Sequence, residues 1–405
     1  MTKPYCYAPF VHMYTHDKEG NRLCCVSKES PKATDSENFD LQTRWESNYY
    51  KNYRKMFLQD DLYKTPPGVC SRCTENEKAG VYSDRLMLND FYKDKGLELN
   101  IETGTNLGSP IDIDLRASNL CNLKCRMCSP YSSSQLNKEV EANRKILSFQ
   151  NIAKDYNTDS WITDENLKFL LSNINYSERI KLLGGEPTIM PEVHKIMDYL
   201  IDNDYTDVPL YFTTNLTNNN VSFLDRLKKL KNVRFNYSID GESKTVEYIR
   251  SPLNWDTTVK NMEVYGPLSK YRIINFTLQA YNILNIKEFL YWINDYNDNT
   301  EYKVYPRLEI LTDPMWSSYR MIPKNIRDTY LKNLLKDDII NTTTTKELGT
   351  VEPILNRCLN DSIEYPIRSL AHNTKRYDVV RNQHIKDYIP KLWELIQEDY
   401  DALQI

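Results

Sequence analysis

The chain of 405 residues has 40% hydrophobic residues and a formal net charge of −4. This length and composition predict about two or three units with a substantial core, while the near-balanced charge gives no electrostatic argument for a nucleic-acid partner. There is no apolar stretch of about 18 residues and no charged start followed by an apolar segment, so the sequence predicts neither a membrane span nor a signal peptide. We therefore expect a cytoplasmic protein.

The first predicted part, residues 1–105, is irregular, lacks a clear apolar core and contains five of the nine cysteines. Cysteines clustered in a long chain indicate metal in a reducing compartment, and a segment with little apolar core often needs metal to fold. Paired cysteines are also typical of zinc ribbons, so zinc stays open here. His12 and His16 are further candidates, although a histidine is more often a surface or core residue. The candidate thiolate ligands are Cys6, Cys24, Cys70 and Cys73, with Cys25 as a spare.

In the second predicted part, residues 106–315, short β-like runs alternate with amphipathic helical runs. Pro191, for example, begins a helix whose apolar residues recur at the spacing of one buried face. This alternation predicts an α/β fold with parallel strands and right-handed crossovers, either a (βα)6 partial TIM barrel or a doubly wound sheet. The six predicted strands are Ile111–Leu115, Ile180–Leu183, Leu210–Thr213, Val233–Ile239, Ile273–Ala280 and Arg307–Leu311.

Polar motifs follow these strands at the ends where ligands collect in parallel α/β folds. The first strand precedes Cys121, Cys125 and Cys128. Three thiolates at the spacing C-x3-C-x2-C can hold three irons of a [4Fe–4S] cube and leave the fourth iron open. A structural zinc site would need a fourth ligand, and no further cysteine or histidine lies nearby in the sequence.

The third predicted part, residues 316–405, is a helical extension that contains helical runs such as Ile389–Leu403 and no recognisable functional motif. Its single cysteine, Cys358, is isolated, and a small buried hydrophobic residue is its expected role.

At Cys121–Cys128, Gly184–Pro187 and Ser238–Asp240 the chain resembles the radical S-adenosylmethionine (SAM) enzymes. The resemblance implies a partial barrel in which the three cysteines hold a [4Fe–4S] cluster whose open iron chelates SAM. An electron from the cluster, supplied by a reductant such as flavodoxin or ferredoxin, would cleave SAM to methionine and a 5′-deoxyadenosyl radical, as in oxidoreductase or related radical chemistry.

The same resemblance implies a set of SAM contacts. Glycines after a strand let backbone carbonyls approach a ligand closely, and the family's matching motif receives the SAM ammonium. Arginine suits a carboxylate, and Met127 stands where the family often has an aromatic ring against adenine. For the single polar positions, solvated surface is the rival interpretation. The implied SAM contacts are Met127, Gly184, Gly185, Glu186, Thr214, Asn215, Ser238, Asp240 and Arg250.

Within that superfamily, Cys6–His12, Cys24-Cys25 and Cys70–Cys73 are similar to a SPASM/twitch segment, here placed ahead of the barrel. This similarity favours an auxiliary [4Fe–4S] cluster over zinc, and it prefers Cys24 to Cys25 because a cysteine soon after a glycine-containing hairpin is a ligand in such proteins.

The resemblance also suggests substrates. Many SPASM/twitch relatives modify peptides or proteins, so a peptidyl substrate is the first expectation, followed by a small molecule such as a sugar or nucleotide. RNA is disfavoured by the charge balance. The alternative outside enzymes is a zinc-stabilised binding module.

Overall fold

A computed structural model describes residues 6–15, 22–27, 40–58, 69–78, 82–94, 109–153, 162–172 and 174–405. The chain divides into two compact units. The first unit comprises Met1–Ser118, Asp159–Phe212 and Asp225–Asn232, and the second comprises Asn119–Thr158, Thr213–Leu224 and Val233–Ile405. The division into residues 1–105, 106–315 and 316–405 stays a prediction.

The fold class is α/β, as predicted, with seven strands whose order in the sheet follows the chain. The strands are β1 His12–Thr15, β2 Asp112–Arg116, β3 Arg179–Leu183, β4 Leu210–Thr214, β5 Val233–Ser238, β6 Tyr271–Leu278 and β7 Tyr305–Ile310. All six predicted strands are present, with ends that differ by at most two residues. The registers of β1 with β2, β2 with β3, β5 with β6 and β6 with β7 are parallel.

The strand β1 corrects the expectation that the N-terminal part is irregular. It pairs with β2 from His12 opposite Asp112 to Thr15 opposite Leu115. All four residues of β1 are buried, so the strand has none of the polar and apolar alternation by which a half-buried strand is found in a sequence.

Seventeen α-helices lie within the described residues. They are α1 Ala8–Val11, α2 Leu41–Trp45, α3 Asn48–Leu58, α4 Ser71–Lys78, α5 Asp84–Asp94, α6 Ser134–Ala142, α7 Asp164–Ser172, α8 Pro191–Asp202, α9 Val221–Leu227, α10 Ser243–Ile249, α11 Trp255–Tyr265, α12 Ile286–Asp298, α13 Lys324–Leu334, α14 Thr343–Lys346, α15 Val351–Asn360, α16 Ile367–Arg381 and α17 Pro390–Ala402. Short 3₁₀ helices span Ile174–Tyr176, Pro187–Ile189, Gly266–Leu268, Ile283–Asn285, Met315–Ser317, Tyr319–Met321, Asp338–Asn341 and Ile385–Asp387. None of the described helices is long and apolar enough to cross a membrane.

In the first unit, β1, β2 and β3 have one apolar face and one charged face, and both are buried. Met13, Ile113 and Ile180 lie on the apolar face and are at most 3% exposed. The neighbouring His12 and Asp112, on the opposite face, are equally buried. Charged groups at alternate strand positions are expected on a face that contacts solvent. Here the N-terminal segments cover that face, which the strand sequences alone do not predict.

The N-terminal segments also have a core of their own, contrary to expectation, and aromatic residues supply it. Trp45 and Tyr50 are fully buried, with ring centroids 5.3 Å apart. The guanidinium of Arg54 lies 4.4 Å from the Trp45 ring centroid and donates to the carbonyl of Pro9 at 2.7 Å. Tyrosine and arginine thus contribute core contacts that an apolar count omits.

The second unit contains β5, β6 and β7 and the C-terminal helices, which confirm the predicted helical extension. Helix α16 packs against α17, and α13 and α15 pack against each other. Cys358, in α15, is fully buried, as predicted.

Candidate active site and cysteine cavity

The three cysteines after β2 lie in a segment without helix or strand, residues 119–130, which we call the cysteine loop. Cys121 and Cys125 are buried and Cys128 is half-buried. The start of α6 holds the loop: Cys121 N donates to Ser134 Oγ at 3.1 Å, and Ser133 Oγ donates to the carbonyl of Leu123 at 2.6 Å. Ser133 also caps α6, so one serine fixes both the helix end and the loop.

The loop after β4 holds the cysteine loop through amide side chains. Asn215 Nδ2 donates to Asn122 Oδ1 at 2.9 Å, and Asn122 Nδ2 donates to Thr217 Oγ1 at 2.6 Å. Thr217 N in turn donates to Asn215 Oδ1 at 3.0 Å. The predicted contact residue Asn215 therefore lies next to the cysteine loop, and its amide already has partners there. Thr214, the preceding residue, is buried and accepts from the backbone N–H of Leu216.

The last residue of α10 and the residues just after it form backbone hydrogen bonds with the cysteine loop. Lys124 N donates to the carbonyl of Ser251 at 2.7 Å, and Arg126 N donates to the carbonyl of Ile249 at 2.8 Å. Between these two points Arg250 Nη1 lies 3.9 Å from Cys125 Sγ. Backbone pairing on both sides fixes the position of Cys125.

Arg250 and Asp240 form a buried ion pair at the cysteine loop, with Arg250 Nε 2.7 Å from Asp240 Oδ2. Asp240 also accepts from the backbone N–H of Thr277 at 2.7 Å. Burial would lower the pKa of Arg250, but the Asp240 carboxylate and the Cys125 thiol outweigh it, so that pKa is raised. Burial raises the pKa of the Cys125 thiol, and Arg250 opposes this rise. Arg250 is therefore a fixed cation beside the Cys125 sulfur.

A residue inside the cysteine motif, Arg126, is fully buried. Its Nη2 donates to Asp378 Oδ1 at 2.7 Å, and its guanidinium lies 3.6 Å from the ring centroid of Tyr248. Asp378, in α16, also accepts from Tyr248 Oη at 2.6 Å and Tyr400 Oη at 3.0 Å. The C-terminal extension therefore neutralises a charge that the cysteine loop buries.

Aromatic and aliphatic side chains cover the Cys128 end of the loop. Cys128 packs against the buried cluster of Leu136, Val140, Leu147 and Tyr377, together with Phe149 and Trp316. The rings of Phe149 and Trp316 meet edge to face at 5.6 Å. This wall surrounds one thiol of the loop with low-dielectric material. Met127, the predicted adenine contact, is half-buried in the same loop, and the predicted contact Ser238 is half-buried at the end of β5.

In the first unit the glycine motif follows β3 and requires glycine at one position. Gly184 has a φ of +131°, and a Cβ there would lie 2.9 Å from the carbonyl oxygen of Ser118 and 2.9 Å from Met190 Cε. Gly185 N donates to the same Ser118 carbonyl at 3.3 Å. The Glu186 side chain is buried and accepts from Thr188 N and Thr188 Oγ1. The backbone of Gly184 and Gly185 is thus the part of the motif open to a ligand role, while the Glu186 carboxylate holds the turn.

The N-terminal cysteines line a cavity in the first unit, here called the cysteine cavity. Burial raises the pKa of the Cys6 thiol to about 12, and the Cys70 and Cys73 thiols add to this rise. A thiol must lose its proton to bind metal, so metal binding here would release protons. The residues of this lining that bear on function are Cys6, His12, Cys24, Cys25, Cys70 and Cys73, with Arg179 and Lys181 from β3.

The two adjacent cysteines of this cavity have different surroundings. Burial raises the pKa of the Cys24 thiol well above its usual value, and the Cys25, Cys6 and Cys73 thiols add to this rise. Burial also raises the pKa of Cys25, to about 11, but its charged neighbours are Lys181 and Asp114 on the strands. Both cysteines line the cavity, and the Cys6 and Cys73 thiols act on the pKa of Cys24, whereas Lys181 and Asp114 of the strands act on the pKa of Cys25.

Beside the cavity, Asp112 accepts from three side chains at the start of the strands: His12 Nδ1 at 3.0 Å, Arg179 Nε at 3.0 Å and Tyr92 Oη at 3.2 Å. Burial would raise the pKa of Asp112, but Arg179 and His12 outweigh it and hold that pKa well below its usual range. His16 lies outside the described residues.

Among the described residues, no three His, Cys, Asp or Glu side chains converge on a point that could hold a single metal ion. A [4Fe–4S] cluster does not need such convergence, because each thiolate binds a different iron.

Sequence reasoning missed several residues of these sites. Arg126 stands between two motif cysteines, and a charge in a buried motif is a signal that it needs a partner. Nothing in the local sequence points to that partner, Asp378, which lies 252 residues away. The Asn122 and Thr217 bonds, and the pairing of His12 with Asp112, likewise join segments far apart in the chain.

The fold and these loops define an α/β protein with a three-cysteine loop after a parallel strand. The family model described as the radical SAM superfamily matches residues 115–277, which include this loop. Residues 115–277 are therefore similar to the radical SAM superfamily domain.

The chain is similar to several solved structures. Native anSMEcpe with bound AdoMet is 17% identical, with a TM-score of 0.39 over 56% of this chain and 60% of that one. Native anSMEcpe with bound AdoMet and Cp18Cys peptide is 18% identical, with a TM-score of 0.38 over 56% of this chain and 59% of that one. Streptococcus suis SuiB bound to precursor peptide SuiA is 14% identical, with a TM-score of 0.35 over 71% of this chain and 63% of that one. The chain thus spans about 60% of the length of these proteins. No curated protein sequence matches it.

Proposed function

We propose that this protein is an enzyme that cleaves SAM reductively and uses the resulting radical to abstract hydrogen from a substrate. Cys121, Cys125 and Cys128 hold the [4Fe–4S] cluster. When bound, the cluster and SAM together supply a 5′-deoxyadenosyl radical and methionine. The observation that carries the proposal is the cysteine loop: three thiols follow a parallel strand inside the superfamily domain, and side chains and backbone from distant segments hold them.

The residues around the cysteine loop fit an anionic cluster. Arg250 places a positive charge 3.9 Å from the Cys125 sulfur, and a hydrogen bond or charge at a ligand sulfur tunes a cluster's reduction potential. Aromatic and aliphatic side chains also pack beside Cys128, the half-buried third ligand. In this proposal the protein positions three thiolates and supplies a fixed cation.

The SAM contacts follow the family resemblance, with roles refined by the hydrogen bonds. We assign the SAM ammonium to the backbone of Gly184 and Gly185, and at Gly184 a Cβ would collide with the Ser118 carbonyl and Met190. Glu186, Asn215 and Asp240 act by holding their loops, since their side chains bond within the protein. Contacts with the ribose, carboxylate and adenine stay assigned to Met127, Thr214, Ser238 and Arg250.

We further propose an auxiliary [4Fe–4S] cluster held in the cysteine cavity by Cys6, Cys24, Cys70 and Cys73. The support is their shared cavity, together with the effect of the Cys6 and Cys73 thiols on the pKa of Cys24. A buried histidine nitrogen that lacks a partner among the described residues also lies at this cavity. Zinc at the same thiols is the competing assignment.

The proposed substrate is a peptide or protein side chain. This assignment rests on the SPASM/twitch resemblance of the first hundred or so residues. A small molecule such as a sugar or nucleotide is the second candidate. A short precursor peptide encoded beside this protein's gene, if it stimulated 5′-deoxyadenosine formation in vitro, would favour the first. No stimulation by that peptide would favour the second.

The experiment that tests the reaction uses protein purified without oxygen. Two [4Fe–4S] clusters predict about eight irons per chain, a brown colour, and 5′-deoxyadenosine and methionine from SAM under dithionite. The Cys358→Ala variant is the matched control, since it removes a buried thiol from α15 that belongs to neither cysteine group. Colourless zinc protein that leaves SAM intact would refute the proposal and favour the binding module. About four irons with one zinc would refute only the auxiliary cluster.

A further inference from the structure

His12, at the start of β1, is 2% exposed and holds its ring in one orientation. Its Nδ1 lies 3.0 Å from Asp112 Oδ1. Because a carboxylate only accepts, Nδ1 carries the hydrogen of this bond, and Nε2 of the neutral imidazole presents a lone pair. Nε2 has no hydrogen-bond partner among the described residues, and a buried polar atom without a partner is costly.

The unpartnered nitrogen belongs to a residue that lines the cysteine cavity together with all five N-terminal cysteines. Metal-bound histidines usually donate their other ring nitrogen to a carboxylate, which sets the tautomer and the orientation of the ring. Asp112 does this for His12. Arg179 and Tyr92 in turn hold Asp112, so the His12 ring is placed by charged and hydrogen-bonded groups instead of by packing alone.

We propose that His12 Nε2 is a ligand to an iron of the auxiliary cluster, with Asp112 as its positioning residue. The inference rests on the proposed auxiliary cluster and deepens it, because it changes the ligand set from four thiolates to mixed nitrogen and thiolate ligation. Four irons need four protein ligands. With His12 at one of them, three of the four assigned cysteines fill the rest.

The test measures nitrogen bound to iron directly and needs no substitution in the cavity. The full-length Cys121→Ala/Cys125→Ala/Cys128→Ala variant, which should keep only the auxiliary cluster, is labelled with ¹⁵N-histidine and reduced with dithionite. Pulsed electron paramagnetic resonance should then show the strong ¹⁵N hyperfine coupling of an iron-bound nitrogen. Adding His12→Cys should remove the coupling and keep about four irons, because a thiolate can take the vacated position.

The outcomes separate the two proposals. Protein with about four irons but no strong ¹⁵N coupling would overturn the His12 inference and leave the auxiliary cluster standing. Protein without N-terminal iron would overturn both. A second readout follows from the ligand count: of the single variants Cys6→Ala, Cys24→Ala, Cys70→Ala and Cys73→Ala, one should keep its iron. Loss of iron in all four would contradict ligation by His12.

Discussion

The two cysteine groups of this protein are built in opposite ways. The three thiols of the cysteine loop lie within eight consecutive residues, Cys121–Cys128, and distant segments hold the loop in place. The thiols of the cysteine cavity come from three separate segments. One of these segments contributes Cys70, just before α4, and Cys73, within α4. In the first group the sequence brings the thiols together and the fold holds them still, whereas in the second the fold itself must bring them together.

The electrostatic surroundings differ in the same sense. At the cysteine loop the Arg250 cation lies 3.9 Å from the Cys125 sulfur and is paired with Asp240. The cysteine cavity lies against a charged sheet face in which Arg179 pairs with Asp112, which also accepts from His12. The thiols of the cysteine cavity therefore lie beside a buried hydrogen-bonded network of charged side chains. In the further inference, His12 of this network joins the thiols as a ligand.

The largest effect is expected from removing the cysteine loop's ligands. The Cys121→Ala/Cys125→Ala/Cys128→Ala variant should lose all reductive SAM cleavage, because these three thiolates are the proposed ligands of the cluster that chelates SAM. It should keep about four irons in the cysteine cavity. Liquid chromatography of 5′-deoxyadenosine and an iron assay measure both. Continued formation of 5′-deoxyadenosine would place the SAM site elsewhere.

The reciprocal change is Cys70→Ala/Cys73→Ala. It should lower the iron content by about four, since two ligands of one cluster are gone. SAM cleavage without substrate should persist, while turnover of the substrate should fall severely if the auxiliary cluster serves the substrate. Aggregation of the variant would point to a stabilising role for the cluster instead. Undiminished turnover by soluble protein would show that the cavity is dispensable.

How far these two regions could be predicted from the sequence follows from their construction. The cysteine loop, the glycine turn and six strands are local patterns, so spacing and hydrophobic period are enough to find them. Strand β1 has no such pattern, because all its residues are buried. The partners of Arg126 and His12 lie 252 and 100 residues away, and only the fold brings them together.

The C-terminal extension should be needed for the stability of the cysteine loop. Asp378→Asn leaves Arg126 buried without its counter-charge, which costs about 3–5 kcal/mol in comparable buried pairs. The midpoint of urea unfolding should fall accordingly. Asp387→Asn is the control, because Asp387 is exposed near the same helices, and it should change the stability by less than about 0.5 kcal/mol. Equal midpoints for the two variants would mean that Asp378 does not stabilise the loop.

A smaller effect is expected at the glycine turn. Gly184→Ala places a methyl group 2.9 Å from the Ser118 carbonyl at a φ of +131°, and such strain costs about 1–3 kcal/mol. If it displaces the backbone that receives the SAM ammonium, the dissociation constant for SAM should rise at least several-fold. Gly349→Ala is the matched control, since Gly349 also has a positive φ but nothing within 4 Å of its added Cβ. Calorimetric titration with SAM compares them, and equal affinities would remove Gly184 from the SAM site.

The smallest effect is expected from Cys25→Ala, which tests whether Cys24 and not Cys25 is the ligand. Cys25 is as buried as a ligand would be, but its charged neighbours are Lys181 and Asp114 of the strands. The pKa of Cys24, one residue earlier, is raised by the thiols of Cys25, Cys6 and Cys73 as well as by burial. Since the proposed ligand set does not include Cys25, Cys25→Ala should keep the full iron content and the full rate of SAM cleavage. Loss of iron in this variant, with iron retained in Cys358→Ala, would transfer the ligand role from Cys24 to Cys25.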